Sequence, residues 1–360
     1  MKVKKTDTFS NPNFFNLSKR GAQKEFEKII KNKKPRVVDT FENQLKELFV
    51  IRNPSLISSN DFEKKYRIFL DKRRKAKELS KDNQWVYFPW RNSITHILDE
   101  KEFFEVRTAR NQNLITKDEQ KKFYNSTIGV AGLSVGSSVA TTLVLQGGAK
   151  HLKLADFDDL ELSNTNRIKT SIDCLGMKKV DIIAQQIYEI NPYAKVEIFY
   201  DGLTENNIDK FFQGLDVVVD EVDSLPIKLK MRQAARKNSI PLFMGIDNGE
   251  GVIVDIERYD QEKNIKPFDG RLGNVTIAQL KNLTMQEIGQ CIVKIVEEGN
   301  IDQKMLESIQ EIGKEIVSWP QLGSTASLNG SVLCFCIQKT ILAGRLPHKR
   351  VVIGLKDYIS

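Results

Sequence analysis

The stretch that decides the fold extends from Ile128 to Arg167 and has the sequence IGVAGLSVGSSVATTLVLQGGAKHLKLADFDDLELSNTNR. It begins with a short apolar run typical of a buried strand, passes a glycine-containing turn and a helical segment, and reaches a second apolar run. An acidic segment and then a polar segment follow. This order predicts a β-α-β unit with parallel strands and polar chemistry at one edge of the sheet.

The same alternation continues downstream and predicts an α/β fold. Apolar runs predict strands at 127–132, 151–156, 195–199, 217–220 and 241–245. Helical periodicity predicts connecting helices at 136–146, 178–190, 206–212 and 226–237. Together they predict a doubly wound, mostly parallel, Rossmann-like sheet with right-handed crossovers, to which residues 251–259 add an antiparallel strand. We expect an N-terminal α+β extension at 1–115, a nucleotide-binding domain at 116–260 and a C-terminal helical region at 261–360 packed on that domain.

The positive charge is concentrated in the first third of the chain. Residues 1–120 contain 27 Lys and Arg against 17 Asp and Glu, whereas the remaining residues contain 28 against 30. One interpretation is a surface that attracts nucleic acid or an acidic protein. The other is a set of solvated helix faces, and we prefer it because the run Lys72-Arg73-Arg74-Lys75 lies in a segment of helical periodicity. Residues 1–40, with little apolar pattern, predict a loosely attached lead segment.

Cysteine spacing and hydropathy exclude several protein classes. The four cysteines form no C-x-x-C pair, so we expect no zinc site and no disulfide framework. Cys334 and Cys336 lie in an apolar stretch that predicts a buried helix near 329–342. No apolar run is expected to span a bilayer, and the lysine-rich start lacks the apolar core of a signal peptide. We therefore expect a cytoplasmic protein without membrane contact.

The turn Gly132-Leu-Ser134-Val-Gly136 is a variant of a nucleotide-binding glycine loop. Glycine lets the backbone approach a phosphate, and the N-terminus of the following helix offers free N–H groups. A purely structural βα turn is the alternative. Asp156 follows Gly136 by twenty residues at the end of the second strand, where an acidic residue binds a ribose hydroxyl.

The polar residues beyond that strand favour ATP over a dinucleotide. Asn164 and Arg167 are typical phosphate ligands, because Arg binds two oxygens at once and Asn orients them, although Asn residues that close a turn are the alternative. Lys179 opens a helix, where a cation is unfavourable unless an anion offsets it. The end of the fourth strand carries Asp220 and Asp223, and carboxylates facing a polyphosphate indicate Mg²⁺.

Taken together, these segments resemble the ThiF/MoeB family, the adenylating superfamily that includes ubiquitin-activating enzymes. The resemblance covers about 127–259, with an upstream arginine segment at Arg107-Thr-Ala-Arg110. Its matching motifs are the glycine turn, LADFDD, LSNTNR, LGMKK, INPYAKV and VVVDEVDS. The chain lacks the zinc-binding C-x-x-C pairs that the sulfur-carrier branch of the family generally carries. Its DEVDS and Thr-Asn-Arg segments are similar to the zinc-free branch that cyclises a threonylcarbamoyl-adenosine base in tRNA.

The resemblance implies a role for each matching residue. Asp156 would bind the ribose of ATP, and the turn of Gly132, Ser134 and Gly136 would lie against the phosphates. The residues implied to hold the polyphosphate and stabilise the leaving pyrophosphate are Asn164, Arg167 and Lys179. Asp223 would bind Mg²⁺ together with Asp158. Arg110 would reach the nucleotide of a neighbouring subunit, so the resemblance also implies a homodimer.

The implied activity is ATP-dependent adenylation of a carboxylate, with release of pyrophosphate and formation of an acyl-adenylate. The carboxylate is expected at the C-terminus of a peptide or of a small ubiquitin-like or sulfur-carrier protein. Three alternatives stay open: a carboxylate on a modified tRNA base, an NAD or FAD protein of the same fold, and a nucleotide-binding scaffold without catalysis. Thioester formation lacks support, since no cysteine has a convincing catalytic position.

Overall fold

A computed structural model describes residues 9–75, 84–344 and 346–354, without the side chains of Arg74, Lys75, Met285 and Ile309. The chain forms two compact units, Met1–Gln120 and Lys121–Ser360, and the division falls within the helix α5 (Lys117–Tyr124). Each unit has its own sheet.

The N-terminal unit contains a small mixed sheet with the strand order β1-β3-β4-β2. Its strands are β1 (Asn13–Asn16), β2 (Arg36–Asp39), β3 (Gln84–Phe88) and β4 (Ser93–His96). Its other helices are α1 (Ala22–Lys33), α2 (Phe41–Arg52), α3 (Phe62–Lys75) and α4 (Glu100–Arg107). The extension is therefore α+β, as predicted.

Residues 9–40 are more ordered than the prediction of a loose lead segment allows. Phe15 of β1 is buried with Trp85 and Tyr87 of β3, and Phe26 of α1 packs against this cluster. The prediction of a loose segment is wrong for this stretch because four-residue strands and one apolar helix stripe give almost no periodic signal.

The basic run on α3 is not wholly solvated. Arg73 is buried, and its guanidinium donates to both carboxylate oxygens of Glu102 on α4, at 3.0 and 2.6 Å. A charge buried with its partner is a structural pair. The side chains of the next two residues of the run lie outside the described residues.

The C-terminal unit is built on a seven-stranded sheet with the order β11-β10-β9-β8-β5-β6-β7. Its strands are β5 (Thr127–Ala131), β6 (His151–Ala155), β7 (Lys195–Phe199), β8 (Val217–Asp220), β9 (Leu242–Asn248), β10 (Gly251–Glu257) and β11 (Lys349–Gly354). The strands β5 to β9 run parallel, and β10 pairs antiparallel with both β9 and β11. The predicted fold class is confirmed.

Helices cover both faces of this sheet. They are α6 (Gly136–Leu145), α7 (Lys179–Ile190), α8 (Ile208–Phe212), α9 (Leu225–Asn238), α10 (Ile277–Lys281), α11 (Met285–Val296), α12 (Gln303–Glu311) and α13 (Gly323–Ala343). One face packs on α6, α7 and α13, and α8, α9 and α10 share the core of the other face. The helix α12 ends at Glu311, and Gly313 turns the chain beyond it at φ 80°.

The helix α13 is a core element of the unit. It is long and apolar enough to cross a membrane, and half of its apolar window is buried within the protein. It packs on α6, β9 and β10, and Cys334 and Cys336 are buried as predicted. Its apolar character follows from packing against a sheet.

A buried ion network fixes β8 against β10. Arg232 of α9 is fully buried and donates to Asp220 at 2.6 Å and to Glu257 at 2.9 Å. Lys228 adds a second contact to Asp220 at 3.1 Å, and the Tyr259 hydroxyl donates to Glu257 at 2.6 Å. Asp220 is therefore a structural residue, which anchors α9 to the carboxyl edge of the sheet by accepting from Lys228 and Arg232.

Candidate functional site

The candidate site lies at the carboxyl edge of the C-terminal unit's sheet, where the loops after β5, β6 and β8 meet the end of β9. Parallel strands place the residues that follow them at one edge, and open α/β sheets bind ligands there. The elements of this edge are the glycine turn, the loop between Asp156 and Lys179, the residues after Asp220, and Asp247.

Gly132 turns the chain out of β5 where only glycine fits. Its φ is 85°, and a Cβ at this position would lie 2.2 Å from the carbonyl oxygen of Glu221. Its N–H donates to the Ala155 carbonyl at 2.8 Å. The turn is thus pressed between the ends of β6 and β8, so the structural role of this glycine is directly visible.

Asp156 ties the glycine turn to the acidic loop. Its buried carboxylate accepts the N–H of Leu133 at 2.6 Å and the N–H of Asp158 at 2.8 Å. Burial raises the pKa of Asp156, and the two backbone donors and Lys179 act against that rise. The predicted ribose contact stays a prediction, and the carboxylate's observed partners are backbone groups.

Arg167 is held by short local contacts that orient its guanidinium. Its Nε donates to the Ser134 hydroxyl at 2.8 Å, and its Nη1 donates to Asn166 Oδ1 at 2.9 Å and to the Ser163 carbonyl at 3.3 Å. Among the described residues, Nη2 has no hydrogen-bond partner. Burial lowers the pKa of Arg167, while the negative charges of Asp247 and Asp223 raise it.

Ser134 stands where a nucleotide-binding glycine loop usually has a glycine, and in this structure its side chain has an identified contact. Its hydroxyl joins the glycine turn to the polar segment that ends at Arg167. A glycine at this position could not make that contact. The structure thus brings two of the predicted site residues together across 33 positions of the chain.

Asn164 and Asn166 have structural partners in this segment. The Asn164 side chain accepts the N–H of Glu161 at 3.1 Å within a capping box, which agrees with the turn-closing alternative. Asn166 donates to the Gln321 carbonyl at 2.8 Å, just before α13. A Cβ on Gly323 would lie 2.4 Å from the Asn166 carbonyl, so the start of α13 packs closely on this segment.

The lysines that open α7 are paired with the acidic loop. Lys179 is buried, and its Nζ donates to Asp158 Oδ2 at 2.8 Å. Lys178 pairs with Asp159 at 2.8 Å. These carboxylates compensate for the unfavourable positive charges of the two lysines at the helix start. A bound anion is therefore not needed to explain why lysines occur there. Asp158 and Lys179, both predicted to lie near the nucleotide, are thus in direct contact with each other.

Asp223 and Arg110 are both exposed and belong to different units of the chain. Asp223 is exposed in the loop between β8 and α9, and its charge acts on Arg167. Arg110 is exposed in a 3-10 turn, Ala109–Asn111, of the N-terminal unit. Their roles as a magnesium ligand and as an arginine acting in a neighbouring subunit stay predictions.

Sequence reasoning missed two acidic residues at this edge, Glu221 and Asp247. Glu221 Oε1 accepts the N–H of Gly245 at 3.0 Å, and burial raises its pKa well above the ordinary range. Asp247 is buried at the end of β9, and its Oδ1 accepts from Asn329 of α13 at 3.1 Å. Burial raises the pKa of Asp247 to about 6. The available signal was a charged residue directly after a predicted buried strand for Glu221, and two residues after one for Asp247.

These residues fit an anionic ligand such as a phosphate. The helix α6 begins without a side-chain cap, and the positive dipole end of a helix favours an anion. The guanidinium of Arg167 adds a fixed charge at the same edge. Within the described part of the chain, no three His, Cys, Asp or Glu side chains are grouped to hold a metal ion. Mg²⁺ commonly uses one or two carboxylates plus phosphate oxygens, and the roles of Asp223 and Asp158 as its ligands stay a prediction, since Asp158 pairs with Lys179 in this structure.

Comparisons with known proteins agree with this architecture. A family model described as the ThiF family matches residues 108–333. An uncharacterized protein of Mycobacterium tuberculosis (strain CDC 1551 / Oshkosh) is 35% identical over 278 residues, which cover 77% of this chain and 38% of that protein. The tRNA threonylcarbamoyladenosine dehydratase of Bacillus subtilis (strain 168) is 33% identical over 147 residues, or 39% of this chain and 57% of that protein.

The fold is similar to a crystal structure of PaaA. The TM-score is 0.51 at 20% sequence identity, over 71% of this chain and 77% of that one. The chain spans less than two thirds of the length of both curated relatives. The resemblance predicted from the motifs is confirmed at the level of the family and the fold.

Proposed function

Because the chain belongs to the ThiF family, as the match across residues 108–333 shows, we propose that it is an ATP-dependent enzyme that adenylates a carboxylate. The observation that carries the proposal is the fixed guanidinium of Arg167. Its Nε donates to Ser134 of the glycine turn, and it lies at the edge of the sheet where α6 begins without a side-chain cap. Its Nη2 has no hydrogen-bond partner among the described residues and could donate to a ligand. Such a group suits the phosphates of a nucleotide.

In this reaction the main task of the protein is to position charged groups around the reacting phosphates. A carboxylate oxygen attacks the α-phosphorus of ATP, the bond to the β-phosphate oxygen breaks, and pyrophosphate leaves. Arg167 would stabilise the negative charge that develops on the transferred and leaving groups, and Lys179 would join it on release from Asp158. Mg²⁺, bound by Asp223 and Asp158, would neutralise part of the polyphosphate charge.

Thermal unfolding in the presence of ligands tests the nucleotide site. Mg-ATP at about 100 times its dissociation constant should stabilise the protein by roughly 2.7 kcal/mol, whereas NAD at the same concentration should not. The stabilisation should fall in Asp223→Ala and with EDTA. Asp209→Ala is the matched control, because Asp209 is an exposed acid that pairs only on the surface with Lys237 at 3.0 Å.

The outcomes separate the competing functions. Stabilisation by NAD instead of Mg-ATP would refute the proposal in favour of a dinucleotide protein. Mg-ATP binding without any pyrophosphate exchange, in the presence of candidate acceptors, would support a scaffold without catalysis. Equal loss in Asp209→Ala and Asp223→Ala would show that Asp223 has no specific role.

We propose a peptide or protein C-terminus as the first candidate acceptor, and a modified tRNA base as the second. The second is favoured by the similarity to a tRNA threonylcarbamoyladenosine dehydratase and by the excess of ten positive charges in residues 1–120. Pyrophosphate exchange measured with bulk tRNA and with peptides that have free C-termini distinguishes the two. Stimulation by tRNA that weakens steeply with added salt would establish the second acceptor, because phosphate contacts release counterions.

We also propose that the enzyme works as a cytoplasmic homodimer in which Arg110 of one subunit serves the nucleotide of the other. The exposed position of Arg110 in a short turn leaves its side chain accessible for such a contact. Sedimentation analysis of the full chain tests the oligomeric state directly. A monomer at every concentration would refute this part of the proposal without affecting the adenylation chemistry.

A further inference from the structure

A cavity lies at the amino edge of the seven-stranded sheet, opposite the carboxyl edge that forms the candidate nucleotide site. Its volume is about 450 Å³, within the roughly 300–1,000 Å³ that is usual for pockets that bind small molecules. Residues just before β5, β8 and β9 line it, together with the last turns of α9 and α13. All of its lining residues belong to the C-terminal unit. The proposed adenylation does not use this cavity.

One part of the cavity lining is an apolar wall. Leu215, Val217, Ile240 and Pro241 are buried there, and Ile341 of α13 is half-buried. All five side chains are aliphatic. Removing apolar surface from water is favourable, so this wall suits the methylene groups of a ligand.

The polar residues of the lining direct hydrogen-bond donors to backbone carbonyl groups of the protein. Asn125 and Asn238 each donate a side-chain N–H to the carbonyl oxygen four residues earlier, at 2.9 and 2.8 Å. The Ser126 hydroxyl donates to the carbonyl oxygen three residues earlier, at 2.7 Å. The Lys122 ammonium donates to the Leu342 carbonyl, near the end of α13, at 3.4 Å. These contacts leave the lining short of free donors.

Acceptor atoms of the same lining lack donors. Asp216 Oδ2 accepts the N–H of Thr127 at 2.8 Å, whereas Asp216 Oδ1 and the Oδ1 atoms of Asn125 and Asn238 have no hydrogen-bond partner within the described chain. Thr340 is only 8% exposed, and its hydroxyl has no partner among the described residues. A threonine hydroxyl in a helix commonly bonds a carbonyl of the preceding turn. A buried, unpartnered hydroxyl beside a cavity therefore points to a ligand that supplies a hydrogen bond.

The charges at this edge of the sheet favour a cation. The helices α9 and α13 both end here, and the C-terminus of a helix carries roughly half a negative charge. Asp216 adds a carboxylate that is exposed. The second carboxylate of the lining, Asp260, is bound by Arg258 through both oxygens and is thereby neutralised. The contact of Lys122 with the end of α13 shows that an ammonium group is already accommodated at this edge.

We propose that this cavity binds a small aliphatic amine, whose methylene chain lies on the apolar wall and whose ammonium group donates to Asp216 and Thr340. An ammonium group has three donors and no acceptor, which matches a lining with unpaired acceptors. A neutral alcohol of the same length lacks the charge that the helix ends and Asp216 favour. The site is separate from the nucleotide site, and the inference does not depend on the proposed adenylation.

Isothermal titration calorimetry of the full chain with putrescine, in nucleotide-free buffer of fixed ionic strength, tests the site. Putrescine should bind with one-to-one stoichiometry, and 1,4-butanediol, which has the same carbon chain, should not bind measurably. Asp216→Asn keeps an acceptor for the Thr127 N–H and removes the charge. It should weaken putrescine binding about two- to fivefold, as expected for an exposed ion pair. Asp173→Asn is the matched control, because Asp173 is an exposed acid in the loop between β6 and α7.

Thr340→Val separates ligand binding from folding. Valine has the shape of threonine and removes a hydroxyl that lacks a partner in the free protein, so the variant should unfold at the same temperature as wild type or higher. Its affinity for putrescine should fall at least about tenfold, as expected for a hydrogen bond to a charged group.

Four results would overturn the inference. The first is a lower unfolding temperature in Thr340→Val, because the hydroxyl would then have a partner within the protein. The second is an affinity for putrescine that neither Thr340→Val nor Asp216→Asn changes, which would place the amine elsewhere. The third is equal binding of putrescine and 1,4-butanediol, and the fourth is no binding of putrescine to wild type.

Discussion

Replacing Gly132 by alanine is the most direct test of how the glycine turn is built. Gly132 has a φ of 85°, and the new Cβ would lie 2.2 Å from the Glu221 carbonyl oxygen, so the backbone must move by about 1 Å to reach ordinary contact. A non-glycine residue at such a φ costs about 1–2 kcal/mol. Overpacking against rigid neighbours costs about 1–3 kcal/mol more.

The unfolded state offsets part of this cost. Alanine lowers the conformational entropy of the unfolded chain, which returns about 0.4–1 kcal/mol. The net expectation is a loss of about 2–4 kcal/mol in the free energy of unfolding. Urea unfolding followed by circular dichroism measures it, and the affinity for Mg-ATP should fall in parallel because the turn carries the contact from Ser134 to Arg167.

Gly214→Ala is the matched control. Gly214 has a φ of 72°, and a Cβ there would meet nothing within 4 Å, so the substitution carries the backbone strain without the clash. Its net cost should be about 1 kcal/mol. If Gly132→Ala destabilises the protein no more than Gly214→Ala does, the reasoning that the turn is pressed against the Glu221 carbonyl is refuted.

Two further substitutions test contacts of single side chains. Ser134→Ala removes the hydroxyl that accepts a hydrogen bond from the Arg167 Nε. Since a hydrogen bond to a charged group is worth about 1.5–3 kcal/mol, the dissociation constant for Mg-ATP, measured by calorimetry, should rise at least about tenfold. An unchanged dissociation constant would contradict this role of Ser134. Asp220→Asn leaves Arg232 buried with one carboxylate fewer and should cost about 3–5 kcal/mol in urea unfolding, with a loss below 1 kcal/mol as the contradicting result. Burial raises the pKa of Asp220, but Lys228 and Arg232 outweigh it and hold the pKa below its usual range, so the contribution is present at neutral pH and is lost only below about pH 4.

Much of the large sheet could be predicted because its central strands, such as β8, are largely apolar and buried. The run at 217–220 coincides with β8, the mixed segment at 195–199 coincides with the edge strand β7, and the strand predicted at 251–259 appears as β10. Burial on both faces makes such strands continuous apolar runs, and the intervening helices are long enough to show their own period. The N-terminal strands β1 and β2 carry no such run, since each has four residues with a polar residue at both ends, and several of these residues are exposed.

The candidate site was predicted in its composition but not in its contacts. Motif spacing selected Ser134 and Arg167 separately, and their hydrogen bond depends on the path of the loop after β6, which periodicity does not describe. Asp247 escaped notice because it precedes Asn248 and Gly249, a pair typical of a turn, so a surface position was the simpler interpretation. Its burial results from α13, a helix some 80 residues further along the chain.

The last strand of the sheet has a consequence for how the protein behaves in solution. The strand β11 pairs along six residues of β10, and Arg350 fixes it by donating to both oxygens of Asp255 at 2.6 and 2.7 Å. Beneath it, Val252, Ile253 and Val254 are fully buried. Without β11 these residues would form an open, apolar edge whose unpaired backbone groups are a template for another chain. The strand β11 thus covers the apolar residues of β10 and becomes the edge strand of the sheet, on the side farthest from β7.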